Sequence, residues 1–154
     1  MIQNRPLLII GPFPPPVHGF SVITKAMAEE ISKFRSTLAF DVSSNSRYAV
    51  TRHVAQALKA CLSLKAILDS RCDGSREVSL GANSGLGLLY NLLQATACRA
   101  LGVKAIIHHH SYNYITRNSL LMRLLVAAGG RRHEHVFLAE DMLKAFVKNY
   151  APKG

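Results

Sequence analysis

The sequence predicts an α/β fold, a doubly wound parallel sheet of about five strands alternating with helices. Short apolar runs of strand length recur along the chain, at residues 7–10, 38–42, 77–80, 103 to about 110, and 135–139. Each is followed by a longer stretch with apolar residues at helical spacing, and that alternation argues parallel strands joined by right-handed crossovers. The loops after the first and third runs are rich in Gly, Pro, Asn and Ser. Loops at the carboxyl ends of such strands are where open α/β sheets bind ligands.

The first run, LLII, ends at Gly11 and reads as a strand buried on both faces. The loop that follows, PFPPPVHG, carries prolines at 12, 14, 15 and 16, which restrict φ and remove amide donors, so a stiff, extended connection is expected. In FSVITKAMAEEISKF, the residues Val22, Ile23, Ala26, Met27, Ile31 and Phe34 fall on one helical face, with Ser21 as the expected N-cap. Gly19 lets a phosphate or sugar approach the backbone where the helix's first amides favour an anion. His18 is a candidate for the same contact; the plain alternative is a solvated histidine in a surface turn.

The second run, LAFDV, precedes the turn residues SSNS. A helix is expected from about 52 to 68 on Val54, Ala57, Leu58, Cys61, Leu62, Leu64 and Leu68, broken by SRCDGS. The third run leads into GANSG, where Gly81, Asn83, Ser84 and Gly85 form a second small polar loop, and a helix from 86 to about 101 ends at Gly102. The fourth run, VKAIIHHH, precedes a helix from about 119 to 128 that Gly129 and Gly130 terminate. The fifth, HVFLA, precedes a helix from 141 to about 150.

With 154 residues the chain is expected to be one domain with its own core. Its three cysteines, Cys61, Cys72 and Cys98, form no CxxC pair, so neither a disulfide framework nor a zinc site is indicated, which suits a cytoplasmic protein. No stretch reaches the ~20 apolar residues of a membrane span, and the amino terminus lacks the pattern of a signal peptide. Nineteen Lys and Arg against nine Asp and Glu give a net charge of +10. That charge attracts nucleic acid, anionic lipid or phosphorylated substrates. It is spread along the chain without an aromatic-interleaved basic motif, so specific nucleic-acid reading is not expected.

His108, His109 and His110 close the fourth run. Strand alternation puts His108 and His110 on one face, about 7 Å apart, and His109 on the other. The pair could donate hydrogen bonds to a substrate hydroxyl or phosphate, with Ser111 next in the chain; the alternative is that some of the three are core or capping histidines. No carboxylate or cysteine stands at ligand spacing, so no metal is expected. GxSxG, GxxxxGK[ST] and HExxH are absent, and the first loop does not fit GxGxxG. Glu140 and Asp141, at the end of the fifth run, could supply a site acid, but they better fit the start of the last helix, where acids complement the helix dipole.

Together, IIGPFPPPVHGFSVITKAM, GANSG, AIIHHHS and VFLAEDM resemble the N-terminal Rossmann-like domain of retaining glycosyltransferases of the GT-B fold, the family that includes glycogen-synthase-like enzymes. The resemblance implies transfer of a sugar from a nucleotide-sugar donor to a glycan or lipid-linked acceptor, without a metal or other cofactor. By motif match it assigns the donor-sugar contact to His110, with His108 as fallback, and the glycine loop to His18 and Gly19. Asn83, Ser84 and Ser111 are expected to bind substrate. The family's C-terminal nucleotide-binding domain, with its paired glutamates, has no counterpart here. The chain alone is therefore expected not to transfer sugar, and its interdomain face to favour self-association.

Leucines and arginines in NSLLMRLLVAAGGRRH suit peripheral binding to the inner face of a membrane, or equally a helix packed on the sheet with basic ends. The competing function is a non-catalytic flavodoxin-like module that uses the same strand ends to hold an anionic ligand or a protein partner.

Overall fold

The computed structural model describes residues 5–44 and 48–151. Strands β1 (Leu7–Gly11), β2 (Thr37–Asp41), β3 (Glu77–Ala82), β4 (Lys104–His109) and β5 (Glu134–Phe137) form one parallel sheet in the order β2-β1-β3-β4-β5. Between and after them run helices α1 (Gly19–Ser32), α2 (Ala49–Cys72), α3 (Gly87–Ala100), the short α4 (Asn113–Thr116), α5 (Leu120–Gly129) and α6 (Glu140–Tyr150). The chain reverses its direction of travel across the sheet between β1 and β3. Crossovers leaving those two strands diverge, which opens a crevice at their carboxyl ends.

Strand alternation divides the core. Leu8 and Ile10 of β1, Val78, Leu80 and Ala82 of β3, and Ala105 and Ile107 of β4 face one side. There they pack under Ile67 of α2, Leu88, Ala95 and Cys98 of α3, Met122 and Leu125 of α5, and Met142, Phe146 and Tyr150 of α6. On the other side α1 lies close: a Cβ at Gly11 would stand 2.9 Å from Thr24 Cγ2, and one at Gly81 would stand 2.7 Å from Phe20 Cε2. With both faces covered, every residue of β1 is buried, which is why LLII reads as a continuous apolar run. Among the described residues no helix is long and apolar enough to cross a membrane.

Five strands and five longer helices stand where the sequence places them, with differences at the ends. Helix α2 does not stop at 68 but runs through buried Ser70 to Cys72; the break comes at Asp73 and Gly74, whose φ is +87°. Packing of Ile67 and Ser70 outweighs the local breaking tendency of SRCDGS. Strand β3 continues through Gly81 and Ala82, and β4 ends at His109, so His110 lies just beyond the strand. Helix α4 was not expected; it buries Tyr114 and Ile115. Gly102 and Gly130 do terminate α3 and α5, with φ of +68° and +53°. Part of the SSNS turn lies outside the described residues.

A candidate binding site at the carboxyl edge of the sheet

The first loop bends at residues 14–16 rather than running extended, with cis Pro14–Pro15 and Pro15–Pro16 bonds. Ser21 is not the N-cap of α1. His18 holds that position: its Nδ1 accepts from the Ser21 amide at 3.2 Å, while the His18 amide donates to Ser21 Oγ at 3.0 Å. This is a capping box in which histidine replaces the usual hydroxyl residue. The buried Ser21 hydroxyl also lies 2.9 Å from the Pro16 carbonyl and ties the proline loop to the helix. His18 thus has Nδ1 engaged, leaving Nε2 as the atom with which to reach a ligand. A Cβ at Gly19 would meet nothing within 4 Å, so the backbone there is open to approach.

Asp41, at the end of β2, shapes the same loop from the other side. Its Oδ1 accepts from the Phe13 amide at 3.0 Å and the Ser43 amide at 2.8 Å, and its Oδ2 from the Ser43 hydroxyl at 2.7 Å. Burial alone would raise its pKa, but these hydrogen bonds, with the charge of Lys59, hold the carboxyl below its usual range.

The three adjacent histidines divide as strand alternation requires. His108 and His110 share one face, stacked with ring centroids 6.4 Å apart, and His110 lies 4.3 Å from the Phe20 ring in the first turn of α1. Burial, reinforced by the His108 charge, pushes His110 down to about 4, so at neutral pH it is an uncharged imidazole. Its Nδ1 is buried with no hydrogen-bond partner among the described residues. Ring contacts, tilted against Phe20 and stacked against His108, therefore hold the ring.

His109 belongs to the core. It is fully buried, stacks on Phe137 at 4.7 Å, and bonds Tyr114 Oη at 3.1 Å and His135 Nδ1 at 2.8 Å.

Between α2 and α3, at the crevice beside β1 and β3, opens a cavity of about 460 Å³. Among the described residues its wall includes Asn83, Ser84, Gln56, Tyr90, Asn91 and Gln94 and contains no charged side chain. An amide relay orders it. Asn91 Oδ1 accepts from the Asn83 amide at 2.8 Å and from Asn83 Nδ2 at 3.1 Å. Asn91 Nδ2 donates to Gly81 O and Gln94 Oε1, and Gln94 Nε2 to Ser63 Oγ at 2.8 Å on α2. Buried amides satisfied in this way are rigid, so the β3–α3 loop is held in place.

The chain matches no family model, and no curated protein or solved structure is significantly similar to it. Its chemistry is therefore read from its own geometry.

That geometry separates the expected site residues into two groups. Asn83 and Ser84 line the cavity; His18, Gly19, His108, His110 and Ser111 are not part of its wall, and the first four gather on the α1 side of the sheet's carboxyl edge. Ser111 accepts from the Asn113 amide at 3.2 Å, starting α4. Sequence reasoning missed Asp41, Asn91 and Gln94. A signal existed for the last two: polar residues at 91 and 94 interrupt the apolar series Leu88, Ala95, Cys98 on the buried face of α3.

Proposed function

We propose that the chain is the acceptor-side domain of a glycosyltransferase that moves a sugar from a nucleotide-sugar donor to a glycan or lipid-linked acceptor, in cell-envelope polysaccharide or glycolipid synthesis. The observation that carries this reading is the contact between His110 and Phe20, with ring centroids 4.3 Å apart, which joins the end of β4 to the helix turn beside the glycine and proline loop. Two distant sequence motifs that resemble one family's donor-side elements thus meet in space.

In this reading His110 is the residue that touches the donor sugar. A neutral imidazole can hydrogen-bond a hydroxyl without bringing charge into the cleft. Gly19 and His18 border the approach of the donor diphosphate, and His108 sets the position of His110 by stacking. The uncharged, amide-lined cavity suits a hydroxyl-rich acceptor, which Asn83 and Ser84 would contact. This half supplies no general acid or base; it contributes binding geometry. The nucleotide belongs to a second domain by resemblance, the reading assigns no metal, and a cytoplasmic enzyme peripheral to the inner face of the membrane fits the basic charge.

The test is the gene expressed through its natural stop codon and assayed for hydrolysis and transfer with a panel of nucleotide sugars. Loss of activity in His110→Ala and Gly19→Val, with folding retained, supports the reading; a gene product that neither binds nor consumes any nucleotide sugar ends it. One observation favours the second reading, a non-catalytic flavodoxin-like module. The cavity wall includes neither His110 nor His18, so it can hold a ligand without them.

A further inference from the structure

We infer that a cavity lined by three arginines, between the ends of α3 and α5 at the amino edge of the sheet, binds a small soluble molecule carrying phosphate groups. The inference does not rest on the transferase reading, and the two can fail separately.

This second cavity, of about 340 Å³, is walled by Arg99, Gly129, Gly130, Arg131 and Arg132. Arg99 stands in the last turn of α3, just before β4, while Arg131 and Arg132 belong to a 3-10 turn, Gly130–Arg132, that leads into β5. Strands of a parallel sheet all start at one edge. The cavity therefore lies at the edge opposite the histidines, roughly 16 Å away along the six residues of β4. Its arginines cross between the helix ends. A Cβ at Gly130, after α5, would stand 3.3 Å from Arg99 Nη1, and one at Gly102, after α3, would stand 3.8 Å from Arg132 Nη1.

Arginines at helix ends have an ordinary explanation, since they satisfy the last carbonyls and complement the dipole. Here that role is already filled. Arg71 Nε donates to the Leu101 carbonyl at 3.1 Å, closing α3, and Arg99 Nη1 donates to the Ala128 carbonyl at 2.9 Å, closing α5. Among the described residues Arg131 and Arg132 make no side-chain hydrogen bond or ion pair. The acids at the starts of β3 and β5 are engaged elsewhere: Glu77 pairs with Arg35 and Lys104, and Glu134 with Lys104. Two helix ends supply about −0.5 charge each against three guanidinium charges, which leaves about +2 uncompensated at the cavity.

Shape selects the ligand. Guanidinium groups match phosphate oxygens in bidentate pairs, and several converging on a concave site favour a compact polyanion. A duplex is followed by a stripe of basic residues, and a bilayer surface is met by an apolar face; this wall is glycine and arginine alone among the described residues. Its volume is at the small end of the range for small-molecule sites.

The test is calorimetric titration of the chain with inorganic pyrophosphate at constant ionic strength. Saturable binding is expected, weakened about tenfold by each of Arg131→Gln and Arg132→Gln, as loss of one charge-assisted pair requires. Lys25→Gln, which removes a positive charge on exposed α1, should leave it unchanged. Without pyrophosphate the Arg131 and Arg132 variants should melt no lower than the parent, because neither side chain has a partner in the fold. Arg99→Gln should melt lower through loss of its bond to α5.

Absence of pyrophosphate binding overturns the inference, as does binding that Lys25→Gln weakens as much as the cavity variants do. Lower melting of the Arg131 and Arg132 variants with pyrophosphate binding unchanged also overturns it, since the arginines would then be structural. Binding of duplex DNA or of phosphatidylglycerol vesicles that these variants abolish and pyrophosphate does not displace overturns it in favour of a macromolecular surface. Pyrophosphate binding lost in His110→Ala and Gly19→Val but kept in the arginine variants moves the phosphate to the opposite edge and overturns this inference while leaving the proposed function standing. Arginine-dependent binding in a gene product that consumes no nucleotide sugar supports the inference and removes the transferase reading.

Discussion

The imidazole of His109 lies 2.8 Å from that of His135, Nε2 to Nδ1, inside an aromatic core formed by Tyr114, Phe137 and Phe146. Two histidines this close can share a hydrogen bond only if at least one is neutral, and burial keeps both so. Burial, followed by the neighbouring His135, His110 and His108 charges, lowers His109 from 6.5 to about 3; burial, followed by His133, lowers His135 to about 4. In the unfolded chain both take a proton near the ordinary histidine value. The unfolded state therefore binds more protons than the fold below that value. Stability is fully present above about pH 6.5 and declines as pH falls toward the folded values, by up to about 1.4 kcal/mol per pH unit for each histidine.

Thermal unfolding followed from pH 7 to pH 4 should show this decline, and His135→Phe should reduce its slope. A melting temperature flat across that interval would contradict the neutral pair.

Gly81→Ala should destabilise the fold by about 1–3 kcal/mol, because the added methyl meets the Phe20 ring and must displace it from His110. Phe20→Leu shortens the obstructing side chain. The double variant should lose less than the sum of the two single losses in urea unfolding, and strict additivity would mean that the clash is not the cause.

Ser21→Ala removes the hydroxyl that accepts from the His18 amide and bonds the Pro16 carbonyl. A loss of about 1 kcal/mol is expected, seen as a fall of about 3 °C in melting temperature. Exchange of the His18 amide proton should accelerate along with it.

Asn91→Leu keeps the branching of the side chain, with somewhat bulkier methyl groups, and deletes four hydrogen bonds. The half-buried Asn83 amide and Gly81 carbonyl lose their Asn91 partner, at a cost of about 1–3 kcal/mol. Amide exchange at Asn83 should report a loosened β3–α3 loop even where the variant remains folded.

Much of the fold is legible along the chain because its causes are local. An apolar run of four to six residues followed by a helical stripe needs no distant partner to be recognised. Period-two alternation separates His109 from His108 and His110 before any coordinates are known. Gly102 and Gly130 stop helices because they adopt the left-handed backbone other residues avoid. The cap of α1 was misread for a local reason too: serine is the common cap, and histidine takes the position here because Ser21, three residues on, completes the reciprocal pair.

The candidate site was only half legible. Asn83 and Ser84 stand out as small polar residues after a strand, whereas Asn91 and Gln94 look like ordinary helix residues until α3 turns them toward Gly81 and Ser63. Asp41 reads as the end of a strand, and its hold on Phe13 spans 28 residues of sequence.

By itself the sequence determined the class of fold, the order of its five strands and five longer helices, and the face on which each strand residue stands, since these follow from side-chain periodicity and turn chemistry within a few residues. Only the tertiary structure decided that β1 lies between β2 and β3, that His110 meets Phe20, and that α2 and α3 enclose an amide-lined cavity apart from the histidines. Those relationships depend on packing between segments tens of residues apart, and that packing is set by how apolar faces are buried together rather than by any local preference.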